Sequence, residues 1–288
     1  MPEITEPIRV HSGNTLKREE IVRITRRAYT PIVFLAGDVK SGKTTLFASI
    51  HDQLLSGAIR EYRCAGSETF MALEERCFES RVASGSPEAD TPRTPLAAGQ
   101  EYLHFRLRNS PNNPFKELLF ADMSGEFYER AVHDASELAE FGILKRSDFL
   151  AVLLDGGKLM NRGKRHIVRD EALTFIRRCE ESRLLQSDTA LQVLISKWDL
   201  VSERGPDEES GCAEFVKSRL NSETLKRQVD VFRIAARPNP SSKLPALYGV
   251  ELLFQEWVET VPALLRSTGR EPSGINAQMV FNQAGGWR

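Results

Sequence analysis

Continuous apolar runs alternate along the chain with segments in which apolar residues recur every three or four positions. The runs predict strands buried in a parallel sheet, and the helical spacing predicts helices between them. We expect strands at 31–36, 101–108, 116–122, 148–155, 190–196 and 229–236. We expect helices at 45–55, 67–82, 126–142, 165–186, 209–228 and 249–265. This alternation predicts a three-layer α/β/α fold around a mostly parallel six-stranded sheet, with a ligand site at the carboxyl ends of the strands.

The same pattern predicts how the chain is divided. Residues 1–28 are expected to form a helical arm, and residues 29–266 the main domain. Segment 57–100 is an insertion because it is too long for a simple connection, and its part at 84–95 is rich in Pro, Ser and Gly, which predicts an exposed, mobile loop. The polar tail at 267–288 is predicted to be flexible.

Composition and charge exclude some classes of partner. The chain has 39 Lys and Arg against 40 Asp and Glu, so it has no overall basic field that would recruit nucleic acid. The four cysteines lack C-x-x-C or Cys/His spacing, which argues against a zinc site and fits reduced thiols. No signal peptide, membrane span or lipidation motif is visible, so we expect a cytoplasmic protein without a direct membrane anchor.

The segment 37–44, GDVKSGKT, fits the phosphate-loop pattern G-x-x-x-x-G-K-[ST] and lies between a predicted strand and a predicted helix. Glycines at both ends let the backbone wrap a phosphate chain, and a helix N-terminus attracts negative charge. We expect Lys43 to reach the β- and γ-phosphates and the Thr44 hydroxyl to bind Mg²⁺. The alternative is a Gly-rich turn with a solvent-facing lysine. The predicted nucleotide contacts are Gly37, Asp38, Lys40, Ser41, Gly42, Lys43, Thr44 and Thr45.

Two further strand ends carry acidic residues. Asp122 ends the strand at 116–122 and begins the sequence DMSG, where a carboxylate beside the phosphate loop suits Mg²⁺. Asp199 follows the strand at 190–196 in the sequence SKWD. Its carboxylate can accept two hydrogen bonds from guanine that adenine cannot donate, while the Lys197 stem covers the base. The alternative for Asp199 is a helix-capping residue in a polar turn.

The motifs GDVKSGKT, DMSG and SKWD occur in the order of the Ras-like class of P-loop GTPases, and residues 30–266 resemble that superfamily. The resemblance implies GTP or GDP as ligand, with Mg²⁺. It implies that Gly125 is the glycine of the D-x-x-G element. It also implies that Ala235, Ala236 and Arg237 form the loop beside the base, with the Ala236 N–H facing guanine O6.

The resemblance further implies a switch threonine that closes on Mg²⁺, at Thr94 or alternatively Thr91, and an arginine, Arg93, that could act on the γ-phosphate. The alternative for Arg93 is a solvated surface residue in a polar loop. Two residues depart from the pattern. Glu126 stands where Ras-like enzymes usually have a water-orienting Gln, and because a carboxylate repels the γ-phosphate, slow hydrolysis is expected. Ser196 stands where the family has Asn, which is expected to lose some of the hydrogen bonds that tie the loops together.

The insertion at 57–100, with CAGSETF and DTPRTP, resembles a bacterial group of GTPases that occur as paired domains in predicted conflict or defence systems. We therefore expect a GTP-binding switch that regulates a partner protein through segments 84–100 and 122–135, and a nucleotide-dependent dimer is a further expectation. Two alternatives stay open. One is a scaffold that binds nucleotide without turnover; the other is a P-loop kinase whose lid would be the basic stretch RGKRHIVR at 162–169.

Overall fold

The apolar runs form the strands of one sheet. The computed structural model describes residues 12–80, 101–220 and 227–261. In these residues the strands are β1 (Ile32–Gly37), β2 (Ala58–Ile59), β3 (Tyr62–Gly66), β4 (Glu101–Arg108), β5 (Lys116–Asp122), β6 (Phe149–Asp155), β7 (Ala190–Ser196) and β8 (Val229–Arg233). Their order in the sheet is β2-β3-β4-β5-β1-β6-β7-β8. Strands β5, β1, β6, β7 and β8 run parallel, and β2, β3 and β4 are antiparallel.

The predicted number of six strands is wrong, because the described residues form eight. The two additional strands, β2 and β3, lie in the segment that was interpreted as an insertion. Strand β2 has only two residues, and β3 has the sequence YRCAG, in which only Tyr62 is buried. Neither contains a continuous apolar run. Strand β2 is at the edge of the sheet and pairs with β3, and β3 in turn pairs with β4.

Helices fill the intervals between the strands. In the described residues they are α1 (Arg18–Thr25), α2 (Lys43–Ser56), α3 (Phe70–Ser80), α4 (Gly125–His133), α5 (Gly156–Met160), α6 (Arg165–Glu181), α7 (Trp198–Ser202), α8 (Pro206–Leu220) and α9 (Val250–Glu259). The single helix predicted at 126–142 is shorter than expected. It ends at His133 because Asp134 is extended and caps a following 3₁₀ helix by accepting the Ser136 N–H at 2.9 Å.

Two hydrophobic cores lie on opposite faces of the sheet, which gives the predicted three layers. Neighbouring residues of β1 point to different faces, so Phe34 belongs to the core under α1, α4, α6 and α8, whereas Val33 belongs to the core under α2, α3 and α9. All six residues of β1 are buried. This central strand therefore places its carboxyl end, and the loop that follows it, in the middle of the sheet edge.

The segment before β1 packs against the sheet. Leu16 exchanges two backbone hydrogen bonds of 3.0 Å with Tyr102 in β4, and Ile21 and Ile24 of α1 are buried in the first core. All four cysteines lie in the described part of the chain and are free thiols. Among the helices of that part, none combines the length and the apolar character that crossing a bilayer requires. The predicted tail at 267–288 lies outside the described residues.

Candidate functional site

The loop between β1 and α2 turns sharply at its glycines. Gly37 has φ +147° and Gly42, the N-cap of α2, has φ +98°, both in the left-handed half of backbone space that suits glycine. A Cβ atom at Gly37 would lie 2.7 Å from the Leu153 carbonyl oxygen of β6. Lys40 between them also has positive φ, at +63°. The backbone therefore makes a closed curve of the kind that cradles phosphate groups.

The ammonium group of Lys43 lies inside this curve and is buried. Its Nζ donates to the carbonyl oxygens of Gly37 at 2.5 Å and Asp38 at 3.1 Å. Burial lowers the pKa of Lys43, and the nearby carboxylates of Asp122, Asp38 and Glu126 oppose that shift. A bound triphosphate would act in the same direction as these carboxylates and favour the charged lysine.

Asp122 and Thr44 supply oxygen atoms beside Lys43. Asp122 ends β5 opposite Leu35 of the central strand, and its side chain is 1% exposed. Thr44 is the second residue of α2. Hydroxyl and carboxylate oxygens are the protein ligands that Mg²⁺ accepts when phosphates and water complete its shell. The donor set therefore fits Mg²⁺, and the described residues contain no separate group of three or more His, Cys, Asp or Glu that could hold a metal.

The turn after Asp122 touches the phosphate loop directly. A Cβ atom at Gly125 would lie 2.5 Å from the Val39 backbone nitrogen and 2.6 Å from its Cγ2, so only glycine fits this contact. Ser124 caps α4 by accepting the Phe127 N–H at 3.2 Å. Glu126 follows in the first turn of that helix, close enough to Lys43 to influence its charge. The D-x-x-G element and the phosphate loop are therefore in close contact at Gly125.

Ser196, at the end of β7, joins the base side of the site to the phosphate loop. Its Oγ lies 2.6 Å from the Ser41 carbonyl oxygen and 3.1 Å from that of Leu154. A hydroxyl has one proton, so the shorter contact is the better hydrogen bond. The Ser196 hydroxyl therefore ties the end of β7 to the phosphate loop.

Asp199 and Lys197 lie directly after Ser196. The Asp199 carboxylate is buried, and its Oδ2 accepts the Asn239 backbone N–H at 3.0 Å. Lys197 has left-handed backbone, with φ +51°, and its Nζ lies 2.7 Å from Oδ2 of Asp155, the last residue of β6. Each side chain therefore has a partner on a neighbouring element, Asn239 for Asp199 and Asp155 for Lys197.

The loop after β8 follows beside Asp199. The Ala235 N–H donates to the Tyr248 carbonyl oxygen at 2.9 Å, and Ala236 next to it is partly buried. Arg237 pairs with Asp52 of α2 at 2.8 Å. The structure thus brings this loop to the site, with the arginine directed at α2.

The site also contains charged contacts that the sequence motifs do not predict. They involve Asp38, Lys158 and Arg76. Lys158 of α5 forms an ion pair with Asp38 of the phosphate loop. Burial raises the pKa of Asp38, but the hydrogen bonds with Lys158 and Glu129, the charge of Lys158 and the Val39 N–H together leave the pKa below its usual value. Arg76 of α3 donates to Asp122. Lys158 could be suspected from its place three residues after a strand end, but no sequence signal distinguishes Arg76 from other helix arginines.

Other predicted residues lie elsewhere. Arg93, Thr94 and its alternative Thr91 are outside the described residues. In the basic stretch 162–169, the guanidinium carbons of Arg165 and Arg169 lie 5.0 Å and 4.1 Å from the ring centre of Phe215 in α8. These two arginines therefore pack against the Phe215 ring of α8.

A sequence model of the family described as Double-GTPase 2 matches residues 31–258. No curated protein matches the chain. Among solved structures, the chain is similar to the cytosolic domain of the T. maritima FeoB iron transporter in apo form, at 12% sequence identity and a TM-score of 0.39. The match covers 80% of this chain and 64% of the FeoB chain. Translation elongation factor SelB from Methanococcus maripaludis, in complex with the GTP analogue GppNHp, has 13% identity, 81% and 34% coverage, and a TM-score of 0.42.

The Ski7 GTPase-like domain of S. cerevisiae, bound to GDP and inorganic phosphate, is similar at 13% identity, with 87% of this chain and 54% of that chain covered and a TM-score of 0.43. The chain spans between 34% and 64% of the length of these three solved chains.

Proposed function

The chain belongs to the Double-GTPase 2 family, and from that premise we propose that it is a Mg²⁺-dependent GTP-binding switch with slow hydrolysis in the absence of a partner. Family membership supports GTP binding at the site built on β1, β5 and β7. The proposed biological role is regulation of a partner protein, within a bacterial conflict or defence system.

One observation supports the proposal most directly: the D-x-x-G element and the segment SKWD both contact the phosphate loop. Gly125 of the D-x-x-G element lies against Val39, and the Ser196 hydroxyl bonds to the Ser41 carbonyl oxygen. A ligand that shifts this loop must therefore shift the start of α4 or strain the Gly125 contact. Such mechanical linkage is what a nucleotide-dependent switch needs.

Each side chain has a distinct proposed role. Lys43 binds the β- and γ-phosphates, and Thr44 and Asp122 hold Mg²⁺, which would neutralise charge on the phosphate oxygens when bound. Asp199 reads the guanine edge with its carboxylate while Lys197 lies over the base plane. Because Glu126 places a carboxylate beside the γ-phosphate position, unassisted hydrolysis is slow.

Calorimetric titration of the full chain with GTP, ATP and xanthosine triphosphate in Mg²⁺ tests the proposal. We expect GTP to bind at least about 100-fold more tightly than ATP, because adenine leaves the buried Asp199 carboxylate without its donors. Equal affinities for GTP and ATP would contradict guanine recognition. Radiolabelled single-turnover assays, with and without candidate partners, measure the hydrolysis step.

Nucleotide binding without turnover is a second candidate, and Glu126 is the observation that favours it. The variant Glu126→Gln separates the two functions, because the amide can orient water without repelling phosphate. Faster phosphate release by this variant than by the wild type supports a slow GTPase. No phosphate release by either protein, even with a partner, supports a scaffold.

A further inference from the structure

The inserted helix α3 brings a cation to the carboxylate that is proposed to hold Mg²⁺. Arg76 Nη1 lies 3.2 Å from Oδ2 of Asp122, and Nη2 lies 3.0 Å from Oε2 of Glu101. The three side chains are 13%, 1% and 23% exposed, in the order Arg76, Asp122, Glu101. The ion pairs are therefore largely shielded from water, where charge interactions are strong.

The two acidic residues are neighbours because of the sheet register. Glu101 of β4 lies opposite Asp122 of β5 in the antiparallel pairing. Residues opposite each other in such a pair have Cα atoms about 4.5–5.5 Å apart. Two adjacent carboxylates repel each other, and the Arg76 guanidinium, which bonds to both, offsets that repulsion.

The position of Arg76 is fixed by the packing of α3 on α2. His51 of α2 shares a 2.8 Å hydrogen bond with Glu74, and the Cys77 thiol lies 3.6 Å from the Ala48 carbonyl oxygen. The Arg76 guanidinium carbon is 6.0 Å from the ring centre of Phe47, which lies one turn after Thr44. The guanidinium thus belongs to a packed interface with the helix that begins the phosphate site.

From this geometry we propose that Arg76 weakens Mg²⁺ binding at Asp122, so that helix α3 sets the metal affinity of the site and, through it, the rate of nucleotide release. The inference rests on the proposed function. A guanidinium on Asp122 competes with Mg²⁺ for the carboxylate and repels it as a like charge. Removing Arg76 would add one net negative charge next to the metal position and leave Glu101 beside Asp122.

The test measures the release of a fluorescent GDP analogue from the full chain across a range of Mg²⁺ concentrations. For Arg76→Gln, we expect the Mg²⁺ concentration that half-maximally slows release to fall about tenfold, because a repelling charge is lost. For Glu101→Gln, we expect that concentration to rise, because Arg76 then interacts with Asp122 alone. Arg76→Lys keeps the charge and should stay near the wild type, which separates charge from packing.

Arg106→Gln is the matched control. Arg106 also lies on β4 and pairs with a carboxylate, Glu117, at 2.8 Å. Arg106 is five positions further along the strand than Glu101, a distance of about 17 Å. Its removal should leave the Mg²⁺ dependence unchanged, and thermal unfolding of every variant shows whether it remains folded.

The opposite shift would overturn the inference. If Arg76→Gln requires more Mg²⁺ than the wild type, Arg76 orients Asp122 for the metal and does not compete with it. An unchanged Mg²⁺ dependence would also overturn it. If the wild-type protein binds the GDP analogue at no Mg²⁺ concentration, the proposed function fails and the inference fails with it; nucleotide binding in EDTA shows that the site itself is intact.

Discussion

The two carboxylates of the site, Asp199 on the base side and Asp122 on the phosphate side, have different kinds of partner. The Asp199 carboxylate accepts the backbone N–H of Asn239. The Asp122 carboxylate is paired with Arg76, a charged side chain from the inserted helix. A backbone partner is fixed by the fold, whereas a charged side chain can be replaced by another cation. Under the proposed function, Asp199 would therefore keep its partner throughout, and Asp122 could exchange Arg76 for Mg²⁺.

The largest expected effect is on the phosphate side. Lys43→Ala should weaken GTP binding by at least about 100-fold, because a charge-assisted bond to phosphate is lost. The free protein should not be destabilised, since the substitution also removes a buried ammonium whose pKa burial lowers. Calorimetry measures the GTP affinity, and thermal unfolding measures the stability of the free protein. Lys145→Ala, at an exposed position, is the control, and retained GTP affinity in Lys43→Ala would contradict the assigned role.

On the base side, Asp199→Asn should change specificity more than stability. The amide oxygen of asparagine can still accept the Asn239 N–H, so the loop is expected to stay in place. GTP binding should weaken by about 2 kcal/mol, because the bidentate carboxylate contact is lost, and xanthosine triphosphate should bind more tightly than it does to the wild type. Competition binding with both nucleotides measures the change. An equal loss of affinity for GTP and for xanthosine triphosphate would show that Asp199 acts only on folding.

The contact between the D-x-x-G element and the phosphate loop can be broken at Gly125. A methyl group there would lie 2.5 Å from the Val39 nitrogen, so Gly125→Ala must push α4 away from the phosphate loop. We expect a loss of about 1–3 kcal/mol in unfolding free energy and weaker GTP binding. Gly142→Ala is the matched control, because nothing lies within 4 Å of its added Cβ. Equal effects of the two substitutions, measured by denaturant unfolding, would rule out the contact as a constraint.

The smallest effect is expected for Ser196→Ala. The substitution removes one neutral hydrogen bond to the Ser41 carbonyl oxygen, which is worth about 1 kcal/mol. GTP affinity should fall by about fivefold, with guanine preference over adenine retained. Ser218→Ala removes an exposed hydroxyl that donates to the Phe215 carbonyl oxygen, and should change neither quantity. A loss of guanine preference in Ser196→Ala would mean that Ser196 contributes to base reading itself.

The sequence predicts the buried strands and the motifs at their ends better than it predicts the segment between α2 and β4. Buried parallel strands have apolar runs, so the ends of β1, β5 and β7, and the motifs after them, could be located from the chain alone. Strands β2 and β3 could not be predicted because they lack an apolar run and are defined by tertiary pairing, of β2 with β3 and of β3 with β4. The contact of Arg76 with Asp122 could not be predicted, because helical spacing shows which residues share a face of α3 but not the angle at which α3 packs on α2.

The ion pair between Arg76 and Glu101 is also a non-covalent crosslink within the chain. Arg76 lies on α3 and Glu101 is the first residue of β4, so the pair joins two elements whose residues are 25 positions apart in the sequence. The same guanidinium also bonds to Asp122 at the end of β5. Loss of the Arg76 side chain would therefore remove the crosslink between α3 and β4 and the ion pair with Asp122 in a single step.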